Sequence, residues 1–126
     1  MADTGLLISM LDDGSAWSIM QGDLGAYKGA IYESLMVDIL GKMGRKLYYY
    51  HKDGGVELDY LMRYKGECVP VEYKARTGNA KSMCTVLAHP EKYHVHHAIK
   101  IGDYNVGRDG SLLTIPFYMA FLLTEM

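Results

Sequence analysis

Glu57, Asp59, Glu72 and Lys74 are residues whose types and spacing suit chemistry at a phosphorus centre. A hard divalent cation such as Mg²⁺ takes oxygen ligands from one or two carboxylates and keeps waters in its remaining positions. An amine beside the pair can hold and polarise one of those waters for attack. Convergence of the four requires two β-strands in register. Residues 56–64 and 67–75 are alternating runs flanking Lys65-Gly66, a two-residue connection with Gly where positive φ is often needed. Such a loop sets Tyr64 opposite Glu67, and then Asp59 opposite Glu72 and Glu57 opposite Lys74. Alternation sends these four charged residues to one face and Leu58, Tyr60, Met62, Val69, Val71 and Tyr73 to the other. Carboxylates directly opposite one another repel, so something must compensate them. A bound cation would do so. So would a solvated charge ladder in which Lys74 and Arg63 neutralise the acids, since structural ion-pair networks also gather charge.

The elements that must carry this hairpin are legible on either side. Asp3 caps a short apolar turn through Met10, and residues 15–20 with Trp17 read as a second short helix. Residues 27–43 show helical periodicity, with Ile31, Tyr32, Leu35, Met36, Ile39 and Leu40 on one apolar arc and Gly41 and Gly44 near the end. Glu33 lies at the border of that arc; an acid near a helix start is also favoured by the macrodipole alone. Residues 46–51, dense in tyrosine, suit a strand, and 52–55 a turn. Tyrosines there are strand residues first, and beside a site that handles nucleic acid they could stack on bases. Pro70 is expected near the start of its strand, because a proline removes a ladder donor. After a loop over 76–80, Asn79 is the expected cap of a helix through about Ala88, with Met83, Val86 and Leu87 buried and Pro90 beyond its end. Residues 98–101 read as a strand, 105–110 as a turn and 112–115 as a short strand. Pro116 would open an apolar closing helix over 117–123.

Asp59, followed thirteen residues later by Glu72-Tyr73-Lys74, resembles the motif of the PD-(D/E)xK nuclease-like superfamily, with Leu58 in place of the proline. The resemblance extends in order through Asp3 to Leu7, Lys28 to Glu33, Leu47 to Tyr50, Gly55 to Asp59, Pro70 to Lys74 and Ile115 to Tyr118. Together these are similar to a nuclease-like domain of unassigned function at the C-terminal end of bacterial and archaeal AAA+ ATPases. The resemblance implies an α/β fold, a restriction-endonuclease-like αβββαβ core with a mixed β-sheet flanked by helices. It implies a lead-in segment over 1–26 and the nuclease-like domain over 27–126. By the same resemblance Glu33, Asp59 and Glu72 would hold Mg²⁺ or Mn²⁺, with the Tyr73 carbonyl as a further ligand and Glu57 supporting them. Lys74 would orient or activate water, and Asp59 and Glu72 complete the catalytic set. Arg76 and Lys81 would contact DNA. Met1 falls where a longer relative would be mid-chain, and these residues hold no Gly-x-x-x-x-Gly-Lys-Ser/Thr loop that could serve as the ATPase.

Composition bounds these readings. The 126 residues suit one domain, 49% apolar and 22% charged. No apolar run reaches the roughly 18 residues of a membrane span and no signal-peptide layout opens the chain, so the expected compartment is the cytoplasm. Cys68 and Cys84 have no metal-type spacing and are expected as buried thiols. His94 and His96 would share a strand face but lack a third ligand. Net charge is −2; the four acids before Lys28 have no basic neighbour, leaving thirteen bases and eleven acids from Lys28 onward. That balance lends only weak electrostatic support to nucleic-acid contact. The expected function is therefore Mg²⁺-dependent phosphodiester hydrolysis in DNA. Its rival is a catalytically silent nucleic-acid-binding or regulatory module detached from an AAA+ ATPase. The apolar closing helix adds a third option, contact with another chain such as a homo-oligomer.

Overall fold

In the computed structural model of the chain, the residues described are 3–74 and 80–124. Two short helices lead in, α1 (Thr4–Ser9) and α2 (Asp13–Met20). Each starts on an aspartate: Asp3 accepts from the Leu6 N–H at 2.8 Å and Asp12 from the Ser15 N–H at 2.9 Å. The second helix begins two residues before the expected Ser15, because Asp12 supplies the cap oxygen. Helix α3 (Lys28–Lys42) follows, and α1 rests on it where the Thr4 hydroxyl meets that of Ser34 at 3.5 Å.

Strands β1 (Leu47–Lys52), β2 (Val56–Tyr64) and β3 (Glu67–Lys74) form an antiparallel meander. Lys65 and Gly66 both take positive φ, 50° and 82°, which is what a two-residue hairpin turn matching the strand twist requires. The register is the expected one, from Tyr64 opposite Glu67 to Tyr60 opposite Val71. Helices α4 (Lys81–Ala88) and α5 (Pro90–Tyr93) then cross to β4 (Ala98–Gly102), which runs parallel to β3. Strands β5 (Gly107–Asp109) and β6 (Leu112–Pro116) complete a six-stranded mixed sheet in the order β1-β2-β3-β4-β6-β5.

Two cores lie against the sheet. Met36 and Leu40 of α3 are fully buried with Met62, Val69, Val71, Ile101, Ile115 and Leu123. Met83 and Val86 of α4 pack with Leu58, Val95 and Ala98. Each such side chain contributes about 1.5–3 kcal/mol by leaving water. Among the described residues no helix is long and apolar enough to cross a membrane.

Several expectations are corrected here. Leu58 packs with α4, away from Tyr60 and Met62, which lie against the α3 cluster. The cause is a β-bulge: Tyr48 faces Leu61 while Tyr50 faces Leu58, so Tyr49 alone stands against Asp59 and Tyr60. Pro70 is the fourth residue of β3, tolerated because the pairing with β4 starts only at Val71. Residues 107–109 are an edge strand and not part of a turn. Pro116 ends β6 instead of opening a helix, and the closing segment Phe117–Thr124 is wound as 3₁₀ turns. The N-cap of α4 is Ala80, which has no side-chain oxygen; Asn79 lies outside the described residues. Both cysteines are exposed, Cys68 on β3 and Cys84 on the side of α4 away from the buried Met83 and Val86.

One side chain braces distant parts of this frame. Arg45, just past α3, donates to the carbonyl oxygens of Arg63 at 2.9 Å and Leu123 at 3.2 Å. Its guanidinium also lies over the Tyr64 ring, 5.5 Å from the centroid.

Candidate functional site

The bonded ladder between β2 and β3 stops at Tyr60 and Val71. Beyond that point the bulge diverts β2, so Asp59 and Glu72, and likewise Glu57 and Lys74, are not the bonded pairs that strict alternation implied. The strand ends instead border a cleft of about 230 Å³, lined by Glu57, Asp59, Glu72, Lys74, Lys81 and Ser82. Helix α4 forms its far wall. Ser82 ties that helix to β2 by accepting the Glu57 N–H at 3.3 Å, and the Tyr49 hydroxyl donates to Glu57 Oε1 at 2.8 Å. Lys74 Nζ makes an ion pair with Glu72 Oε1.

Charge in the cleft is held at a cost. Burial raises the Asp59 carboxyl above its ordinary range and the Glu57 charge pushes the same way, while Lys74 partly offsets both. Glu33, on α3 and outside the cleft lining, is raised by partial burial and then by Asp59, with Lys74 again opposing. Lys74 is raised in turn, first by its hydrogen bond to Glu72 and then by the charges of Glu72, Asp59 and Glu33. Those couplings bring Glu33 into one electrostatic unit with Asp59 and Lys74. A second tie comes from Tyr60, whose hydroxyl donates to the Glu33 carbonyl oxygen at 3.3 Å. Burial first, and then the Glu33 and Asp59 charges, push the Tyr60 phenol up to about 12.

Other expected residues fall into place unevenly. Lys81 lines the cleft as the first residue of α4, whereas Arg76 lies outside the described residues. The Tyr73 ring is buried, stacked on Tyr32 with centroids 5.1 Å apart, which leaves only its backbone carbonyl for the ligand role the resemblance implied. Tyr48 and Tyr49 are the most exposed of the β1 tyrosines, and Tyr49 is already engaged with Glu57. His94 takes φ 54° at the end of α5, so it shares no strand face with His96. Ser82 and Tyr49 were not picked out from the sequence. Only the alternation of the tyrosine run, facing Glu57 across the sheet, could have signalled Tyr49.

Among the described residues no three His, Cys, Asp or Glu side chains gather to hold a metal ion. Mg²⁺ asks for less, since one or two carboxylates with waters suffice. Asp59 and Glu72 fit it in donor type, and a partly buried carboxylate is relieved by a cation beside it. Glu72 is turned to Lys74 and would have to be shared with the ion.

Comparison with known proteins adds a family but no activity. No curated protein and no solved structure gives a significant match to the chain. A family profile described as a domain of unknown function, DUF4143, matches residues 28–118, from the start of α3 to the closing turns and across the whole cleft. The match spans well over half of the sequence, and the chain belongs to the DUF4143 family.

Proposed function

We propose that the cleft hydrolyses phosphodiester bonds in DNA with the help of a divalent metal, in the manner of the PD-(D/E)xK nucleases. The observation that carries this reading is the meeting of a partly buried carboxylate on the β2 bulge, Asp59, with Glu72 and Lys74 of β3 in one cleft. Support also comes from the element order α3-β1-β2-β3-α4-β4, which contains the αβββαβ string of a restriction-endonuclease-like core with α5 added before β4. Perturbed ionisable groups brought together in a cleft are a mark of functional sites.

The residues divide the work by charge. Asp59 and Glu72 would hold Mg²⁺ or Mn²⁺, with Glu33 and the Tyr73 carbonyl adjoining, and a bound ion supplies charge stabilisation at the phosphate. Lys74 is held as a cation by its neighbours, so it serves as a hydrogen-bond donor that orients the attacking water or a phosphate oxygen, not as the base. A cation held by Asp59 and Glu33 would lower both carboxyls again, so neither is assigned as the base. The water oxygen would bond to phosphorus and give up its proton to solvent, and the bond to the leaving oxygen would break, that oxygen taking a proton from solvent. Glu57, fixed by Tyr49, keeps the bulge and α4 in position. Lys81 at the rim attracts the phosphate, and Arg76 is proposed with it. An AAA+ ATPase region is the partner we propose for this domain.

The test is cleavage of plasmid, single-stranded and branched DNA with and without Mg²⁺ or Mn²⁺. Asp59→Ala and Lys74→Ala each abolish metal-dependent cutting if the roles are right; wild-type cutting and metal affinity in both variants reject them. A silent binding module is the second reading, favoured by the Lys74–Glu72 ion pair, which already neutralises one ligand. It predicts DNA binding with no cleavage in any metal.

A further inference from the structure

A cation-rich groove lies on the hairpin, away from the cleft. It encloses about 690 Å³ and is lined by Arg45, Lys46, Arg63 and Lys65 with Tyr48, Leu61 and Cys68 among its apolar wall, and no carboxylate lines it. For a chain of net charge −2 this is a local reversal of sign. Arg45 is committed to its two carbonyl acceptors, so it fixes the floor. Lys46, Arg63 and Lys65 are exposed, and none pairs with a carboxylate among the described residues. Three solvated cations over a fixed one attract a polyanion, and counterion release rewards a partner whose charges repeat along its length.

The groove and the cleft border the same face of β3 but are separated on it, since Pro70 between them is fully buried. Cys68, Pro70, Glu72 and Lys74 share one face of β3, because Val69, Val71 and Tyr73 all pack on the other. Cys68 borders the groove, while Glu72 and Lys74 border the cleft. Four residues of strand span about 13 Å, and the turn at Gly66 is about 20 Å from Glu72. Tyr48, 60% exposed beside Leu61, offers a ring for a base within the groove.

We propose that the hairpin groove is a binding tract for the phosphodiester backbone of a nucleic-acid strand. The identity of the polyanion rests on the function proposed above. The main competing occupant is the acidic leading segment of a second copy. It is less suited, since Asp3 and Asp12 are engaged in capping their own helices.

The experiment is fluorescence anisotropy of labelled single-stranded and duplex DNA with the full chain, without metal, between 50 and 200 mM salt on the scale where phosphate contacts are read out. Lys46→Ala/Arg63→Ala/Lys65→Ala is expected to weaken binding at least ~10-fold and to flatten the slope of log affinity against log salt by about two to three. The charge-preserving Lys46→Arg/Arg63→Lys/Lys65→Arg keeps the slope, which separates charge from folding. A triple alanine variant that keeps the wild-type slope overturns the tract and leaves the cleft reading untouched. A flattened slope without cleavage in any metal supports the tract and sinks the nuclease. No DNA binding by the wild type overturns the tract, and a sedimenting mass that falls in the alanine variant then identifies self-association instead.

Discussion

Replacing Gly102 by alanine should loosen the sheet at the strand that flanks Lys74. Gly102 is the β4 partner of Lys74, and a methyl group there would stand 2.5 Å from the Lys74 carbonyl oxygen and 2.6 Å from Cε2 of Tyr104. The Tyr104 ring could swing aside, but the carbonyl is backbone of a paired strand and cannot yield without moving β3. Overpacking of this kind costs about 1–3 kcal/mol. For a chain of this size each kcal/mol lowers Tm by about 3–5 °C, so the expected fall is about 3–15 °C. The assay is thermal unfolding followed by circular dichroism at neutral pH, with Gly41→Ala alongside. Gly41 lies in α3 with nothing within 4 Å of an added methyl, so alanine should stabilise by about 0.5–1 kcal/mol. Opposite shifts of the two variants are the signature. A Gly102→Ala protein melting at or above the wild type would refute the close approach of β4 to the Lys74 carbonyl.

Two further predictions concern ionisation. A carboxyl whose pKa is raised on folding contributes stability that is present below its unfolded pKa and lost as pH rises through the folded value. Asp59 is raised by burial and has therefore lost that contribution at neutral pH, so Asp59→Asn should melt higher than wild type at pH ~7, with the gain shrinking toward pH ~3. Glu33→Gln should shift the same way, and an Asp59→Asn protein less stable at neutral pH would contradict the assignment. Tyr60 and Tyr73 are pushed up to about 12, burial being the larger cause in both. In an alkaline titration by near-ultraviolet absorbance, Tyr60 and Tyr73, and to a lesser extent Tyr49, raised by its hydrogen bond to Glu57, should therefore ionise later than the rest of the eleven, and stability should fall as pH climbs from the unfolded value of about 10 toward 12. Uniform ionisation of all eleven in the folded protein near pH ~10 would count against both.

Local chemistry made much of the frame readable. Lys65-Gly66 fixed the hairpin register because a two-residue loop leaves no slack, and the apolar arc of α3 announced the face that buries Met36 and Leu40. The neighbourhood of Glu72 and Lys74 followed from that register. What escaped was set by distant partners. Nothing in residues 56–64 marks Asp59 and Tyr60 as a bulge, since the extra residue exists only relative to Tyr49 on another strand, and Leu58 was assigned to the wrong core in consequence. The hydrogen bonds of Glu57 to Tyr49 and Ser82 are equally non-local. Residues 107–109 have strand form because Leu112 to Thr114 offers them an edge, which their own glycine and aspartate do not advertise. Cys68 and Cys84 were expected inside on residue type, yet both are exposed, Cys84 because α4 turns Met83 and Val86 inward instead.

The Arg45 clasp bears on how the chain acquires its structure. Its two bonds reach partners 18 and 78 residues away, and β3, β4 and β6 are joined by parallel pairings that need long crossovers. Contacts of such sequence separation demand loop closure before they give anything back, which slows folding relative to chains built from near neighbours. The hairpin and α3 can form early from adjacent residues, and the guanidinium closes on Leu123 only when the last turns arrive. Folding here is completed at its most distant junction, so a defect in those turns reaches the hairpin as well.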